Sequence, residues 1–291
     1  VPIENVYIEA YQDGDTPTGR IDYTDDQGYY EILLPYSWSG NLAAQKNGYL
    51  FDAATYYSDH TDDITEDIQG TFLYGGGDGS PANPFEIWTA QQMNNIGRNK
   101  DDWDRSFVLM GDIDMSAYTG TAYHIIGSAS DHFTGSFNGN NHVIQNLTYT
   151  TEISETKNYV GLFGYAQNAH IVNLGLENVS LSTGIESHNV GGLVGYQYSG
   201  SIQQCYVTGF VGCAVNGQYI GGLAGHLNDM TAENCYSDVN VSVLLGGQYI
   251  GGFAGMAPNL MNCYSVGTVN ADDAMWVGGL VGMAHGGGID S

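Results

Sequence analysis

The chain has 291 residues, and its 32 Asp and Glu against 6 Lys and Arg give a formal net charge of −26. A hydrophobic content of 42% is enough to bury a core and excludes a disordered tail, while the acidic excess excludes nucleic acid and anionic membrane surfaces as partners. No apolar run approaches the ~20 residues that a bilayer crossing needs, so no membrane insertion is expected within this segment.

Taken in chain order, the first section runs from Val1 to about Leu73. It alternates apolar and polar residues in short stretches: Val6, Ile8 and Ala10, then Tyr30, Ile32 and Leu34. Period-2 runs of this kind predict half-buried strands. Turn signals at Asp13-Gly14, at Asp25 to Gly28 and at Asn47-Gly48 separate them, as in an antiparallel sandwich. The chain starts at Val1 without a charged and apolar leader, which reads as a trimmed N-terminus.

The segments "PIENVYIEAYQDG", "YTDDQGYYEILLP" and "WSGNLAAQKNGYLFDAATYYSD" follow one another in an order that resembles carboxypeptidase-regulatory-like and transthyretin-like β-sandwich modules of bacterial surface proteins. The strand that usually precedes "P-I-x-x-V" in that family is missing, so the resemblance implies a module cut at its start. The Gly/Pro/Asp stretch at 74–83 then reads as a linker, and the second domain is expected over 84–291.

Thr89 followed by Gln92 is a capping box, and Met93, Ile96 and Trp103 give the apolar spacing of a short helix starting near Ala90. A strand is predicted over Ser106 to Ile113. From Tyr159 onward, glycine-rich hexapeptides recur within "YVGLFG", "NVGGLVG", "YIGGLAG", "YIGGFAG" and "WVGGLVG". Val160, Val190, Ile220, Ile250 and Val277 mark steps of 30, 30, 30 and 27 residues, a solenoid period. In Val190-Gly191-Gly192-Leu193 strict alternation cannot turn both apolar residues inward, so the chain must bend at the glycines.

A second element keeps step: "HVIQNLTY", "HIVNLGL", "SIQQCYV", "AENCYSDV" and "LMNCYSV". A third apolar run follows in most units, so three short strands per repeat predict one coil of a β-helix. Asn146, Asn173, Gln204, Asn234 and Asn262 align as an expected amide ladder, one rung per coil. Cys205, Cys235 and Cys263 recur in phase, with Cys213 outside the series. An inward stack of free thiols is the preferred reading, and disulfides between adjacent coils are the alternative.

The hexapeptides resemble the GLUG motif of extracellular bacterial repeat proteins, among them adhesins and surface-anchored peptidases. "PFEIWTAQQMNNIG", "GDIDMSAYTG", "HIIG" and "FTGSFNGNNHVIQNL" resemble the segment preceding such repeats, so the likeness covers about Pro84 to the end. It implies a right-handed parallel β-helix, here without a visible C-terminal cap. The expected fold is therefore all-β: a small partial sandwich, then the β-helix with a short N-terminal capping helix.

Tyr159, Tyr219, Tyr249 and Trp276 form an aromatic column interrupted by Asn189. Facing outward it would stack on sugars or on a protein; covering a corner it would be structural, which is the preferred reading. Asp112 and Asp114 at i and i+2 are the candidates for a cation such as calcium or for an acid/base pair, against the preferred reading as turn caps. No cofactor is expected. After Lys157 no Lys or Arg follows, which removes the base and the clamp a polysaccharide lyase needs, and no HExxH supports a zinc peptidase. These features point to an extracellular, non-enzymatic structural or adhesion module with a carbohydrate or a cell-surface protein as partner. The alternatives are a carbohydrate-active enzyme on this scaffold and the non-catalytic arm of a larger surface peptidase.

Overall fold

The computed structural model describes residues 2–13, 16–52, 55–285 and 289–290. Two compact units divide the chain, 1–73 and 74–291. Among the described residues no helix is long and apolar enough to cross a membrane.

The first unit holds β1 (Tyr7–Gln12), β2 (Thr16–Tyr23), β3 (Trp38–Gln45), β4 (Tyr49–Phe51), β5 (Tyr56–His60) and β6 (Gly70–Phe72). One antiparallel sheet has the order β2-β1-β3-β5, and β4 pairs with β6 in a second. Val6, Ile8 and Ala10 point inward with Trp38 and Leu42, and Phe51 packs against them. The turn after β2 is built by Asp25, whose Oδ1 accepts the amides of Gln27 and Tyr29. The Asp13-Gly14 turn falls partly outside the described residues.

The strand expected at Tyr30, Ile32 and Leu34 keeps its alternation, half-buried there and exposed at Tyr29 and Leu33, but it joins no sheet. Side chains of β2 occupy its backbone instead: Asp22 accepts the Glu31 amide and Arg20 donates to the Leu33 carbonyl.

The second unit is a parallel β-helix of about six turns. Its first sheet has eleven strands, from Phe85–Ile87 to Val281–Ala284 along its main path; its second has eight, from Ile113–Asp114 to Tyr264–Ser265; its third has four, His188–Gly191, Gln218–Gly221, Gln248–Gly251 and Met275–Gly278. Every coil-to-coil pairing of named strands is parallel and nearly every one is in register, as in Val190↔Ile220 and Ile220↔Ile250. The 74–83 stretch, read as a linker, belongs to this unit. Tyr74 is buried against Phe85 with ring centroids 4.5 Å apart, and the Gly75 and Glu86 amides donate to Glu86 and Gly76 carbonyls. Gly and Pro there supply tight turns rather than freedom.

The capping box forms as predicted at the helix Ala90–Arg98, with Met93 and Ile96 fully buried. Trp103 lies beyond the helix, and its indole donates to the Ile96 carbonyl at 2.7 Å. The strand expected over Ser106 to Ile113 is two strands on different sheets, Ser106–Leu109 and Ile113–Asp114, because a coil corner intervenes. From Tyr74 through Phe85, Phe107, Phe137 and Phe163, aromatic rings fill the start of the core in a continuous contact series.

The glycine pairs bend the chain between the third sheet and the first, so Val190, Leu193 and Val194 are all fully buried. Glycine is required by the neighbouring coil: a Cβ on Gly222 would lie 2.4 Å from the Gly252 carbonyl, and one on Gly252 2.2 Å from the Gly279 carbonyl. Gly111, in the bend before the second sheet, would meet nothing within 4 Å. Gly222→Ala is expected to lower unfolding free energy by about 1–3 kcal/mol through overpacking. Gly111→Ala should stay within roughly 0.5 kcal/mol. Denaturant titration of both variants compares them directly, and equal losses would refute coil-to-coil approach as the reason for the glycines.

Candidate functional site

The residues that sequence reading singled out lie mostly at bends of the coils, and many of them sit in the left-handed region. Asn173, Gln204, Asn234 and Asn262 form one such column, with φ of 54°, 53°, 54° and 50°. Asn tolerates this conformation because its short amide bonds locally. Asn146 does not join them. The pairing Gln145↔Glu177 puts it under Asn178, whose amide donates to Asn146 Oδ1 at 2.7 Å, while Asn146 donates to Asp114 at 2.8 Å. In the four-membered column one direct rung forms, Asn262 to Asn234 at 3.1 Å; Asn173 donates to Asn138 and Asn234 to Glu233.

Behind this corner the cysteines stack. The Cys235 and Cys263 thiols donate to the carbonyls two residues back at 3.1 and 3.3 Å and to a carbonyl of the preceding coil. All four cysteines are free. The bond with Cys205, ahead of burial, pushes the Cys235 thiol up to about 12, and the bond with Cys235 raises Cys263 further, so these sulfurs are protonated packing groups.

Asp112 and Asp114 are each tied to the next coil rather than to each other. Asp112 Oδ1 accepts the Val143 amide at 3.0 Å and lies 3.2 Å from His142 Nδ1; Asp114 Oδ1 accepts from Asn146 and from the Ser116 amide. These bonds hold both carboxyls below their ordinary range: for Asp112 the Val143 amide leads, for Asp114 the Asn146 side chain. Among the described residues no group of three or more His, Cys, Asp or Glu is arranged to hold a metal ion.

The aromatic column also sits at a left-handed corner, with φ of 59° at Tyr159, 56° at Tyr219, 60° at Tyr249 and 56° at Trp276, and 60° at Asn189. For a bulky residue this conformation costs on the order of 1–3 kcal/mol. Stacking offsets part of it: Tyr219–Tyr249 and Tyr249–Trp276 lie 4.7 and 4.8 Å apart with planes within 5°. Parallel rings this close are offset-stacked, so each ring covers much of its neighbour's face. Tyr159 is not in that stack; it contacts Tyr165 at 5.3 Å and Tyr196 at 6.4 Å.

Two further aromatic rows went unassigned in the sequence. His132, Tyr165, Tyr196 and His226 run beside the first column, with His226 stacked on Tyr219 at 4.7 Å. On another face Tyr206, Tyr236 and Tyr264 stack at 4.9 and 5.2 Å, and the Tyr206 hydroxyl donates to Glu177. The signal for the second row was the "CY" pair recurring in phase; the first has no such repeat because its residue types change from coil to coil.

With this geometry in hand, comparison with known proteins gives four likenesses. The GLUG motif matches residues 186–215, one full coil. Halomucin from Haloquadratum walsbyi is 33% identical over 145 residues, 46% of this chain and 2% of that protein. A protein described as a Gly-rich membrane protein from Evansella cellulosilytica is 34% identical over 131 residues, 43% of this chain and 15% of that protein. The chain thus spans a small part of the curated relatives it matches. A crystal structure described as an immunoglobulin A1 protease from Bacteroides ovatus superposes with a TM-score of 0.58 and 26% identity, over 76% of this chain and 66% of that one. The other four glycine hexapeptides occupy the same place in their coils as the matched one, so the likeness to the GLUG motif extends along the β-helix.

His226 supplies a pH test of the aromatic surface. Burial, with the His285 charge second, lowers it to about 4. The unfolded chain therefore binds this proton first, and the stability held above pH ~6.5 is lost as pH falls toward 4. Replacing His226 with Phe keeps a ring against Tyr219 and removes the proton site. Between pH 7 and 4 the parent chain is expected to lose up to roughly 3 kcal/mol more than the variant. Urea titrations at several pH values measure this, and parallel pH curves for the two proteins would exclude it.

Proposed function

We propose that the chain is an extracellular, surface-displayed structural module. The β-helix is a stiff rod that presents its side to a carbohydrate or a cell-surface protein, and the N-terminal unit is a spacer of the carboxypeptidase-regulatory-like kind. The observation that carries this reading is the register of coil on coil through all three sheets, reinforced by aromatic rows on the outer faces. Bending such a stack must break backbone ladders and ring contacts in several coils at once, which suits display and spacing.

The names of the two curated relatives, a mucin and a membrane protein, support a surface location. A non-enzymatic role is supported by the fate of Asp112 and Asp114, the best-placed carboxylate pair in sequence, whose oxygens are used to join coils. The likeness to the Bacteroides ovatus structure favours a second reading, the non-catalytic arm of a larger surface peptidase.

Antibodies against the chain are expected to label unpermeabilised source cells. The purified chain should co-sediment with cell-wall polysaccharide, or capture surface protein, without releasing sugar ends or peptides. Labelling that requires permeabilisation would remove the surface reading, and product release would replace the module by an enzyme.

A further inference from the structure

The corner between the second and third sheets is concave. A groove of about 510 Å³ runs along it, and Asn158, Glu186, His188, Asn216, Gln218 and Gln248 stand on its walls. The concavity follows from the triplets Glu186-Ser187-His188, Asn216-Gly217-Gln218 and Gly246-Gly247-Gln248, which repeat once per coil. In the first two triplets the outer members form the two walls, in the third only Gln248 does, and the middle member is small in all three. A Cβ on Gly217 would lie 2.8 Å from the Cys213 sulfur, so at that coil the main chain itself sinks toward the core. The first wall turns outward because Glu186 and Asn216 sit at φ of 51° and 54°. The second is a straight ladder, His188↔Gln218↔Gln248.

Among the described residues, the walls of this groove carry side chains whose hydrogen-bonding capacity no protein group takes up. Elsewhere stacked side chains bond each other, as Gln203 does to Glu233 and Asn262 to Asn234. Gln218 and Gln248 stand in adjacent coils at the same register position, yet among the described residues neither side-chain amide has a partner, and nor does the Glu186 carboxylate or the His188 ring. The Asn158 carbonyl is already taken by the His188 backbone amide. Each free Gln amide offers donors and an acceptor side by side, which matches a pair of neighbouring hydroxyls.

We propose that this groove binds a neutral oligosaccharide lying along the helix axis. Three coil spacings at ~4.8 Å give a length of about 14 Å, enough for a short run of sugar rings. Neutrality follows from charge: Glu186 stands in the groove and residues 158–291 hold no Lys or Arg, so a uronate chain is repelled. The inference rests on the surface-display reading and adds to it a ligand class and a site one residue before the aromatic column.

The test is heteronuclear NMR and calorimetry on the full chain with cellohexaose, xylohexaose, mannohexaose and N-acetylglucosamine hexamer, and with hexagalacturonate as the anionic arm. At least one neutral hexamer is expected to bind, moving the side-chain amide signals of Gln218 and Gln248. The double variant Gln218→Ala/Gln248→Ala, both positions half-exposed, should stay folded by circular dichroism and lose at least tenfold in affinity. Hexagalacturonate should bind at least tenfold more weakly than the neutral hexamer. The proposal is overturned if no neutral hexamer binds, if the double variant binds as well as the parent, or if the anionic chain binds best. Binding that survives the double variant but is lost in Tyr219→Ala would assign the ligand to the aromatic column instead. Failure here with positive cell labelling leaves the display reading intact.

Discussion

No coil of the β-helix has a core of its own; each buries its apolar residues only when the next coil lies on it at the strand spacing of ~4.8 Å. That spacing must hold at every point around the coil, including the bends, where a side chain on the main chain of one coil would strike the main chain of the next. The glycine pairs meet this condition. With Gly191, Gly192, Gly221 and Gly222 at the bend, Val190, Leu193, Ile220 and Leu223 all turn inward and are fully buried. Helix cap, corners and surface rows are all arranged around this close approach.

In-register stacking also governs what can stand at a corner. A left-handed residue in one coil is repeated in the next, so the cost recurs once per turn unless the residue tolerates it or gains from its neighbours. Asn is the tolerant solution at Asn173, Asn234 and Asn262. Tyr219, Tyr249 and Trp276 are the other kind, strained residues whose rings overlap those of adjacent coils. Asn189 occupies the same corner and does without the stack.

The repeat, the bend at the glycines, the helix cap and the inward cysteines were legible because each follows from local pattern or period. The failures share one cause: a period states that positions are equivalent, but not which residue of an irregular coil is the equivalent one. Asn146 was aligned by its surrounding "IQNL" with Asn173, yet it pairs through Gln145↔Glu177 and Thr148↔Ser180 level with Asn178, inside the second sheet. Likewise "SFVLMGDI" reads as one strand although a corner divides it, because Met110 and Gly111 carry no strong turn signal. The Gly/Pro run at 74–83 was misjudged in the opposite sense, since turn residues can hold a chain as tightly as they can release it. The groove had no sequence signal beyond a small residue between two polar ones, a pattern that gains meaning only when three coils are laid in register.

Stacking finally accounts for the composition. A charged side chain in an in-register column meets its equivalent at ~4.8 Å, where like charges repel by on the order of 1–3 kcal/mol. The acids of the β-helix are therefore separated along the axis by neutral residues: Asp114 and Glu177 have Gln145 between them, Glu233 lies between Gln203 and Met261, and Asp238 follows Thr208. Some of these neutral neighbours stabilise the carboxylate by donating to it, as Gln203 does to Glu233 and Gln145 to Glu177. Amides and hydroxyls then do the work that Lys and Arg do on other protein surfaces, and they do it without a second charge that would itself have to be kept from stacking. The absence of basic residues after Lys157 is thus compatible with a surface on which many acids are held by amides and hydroxyls of adjacent coils.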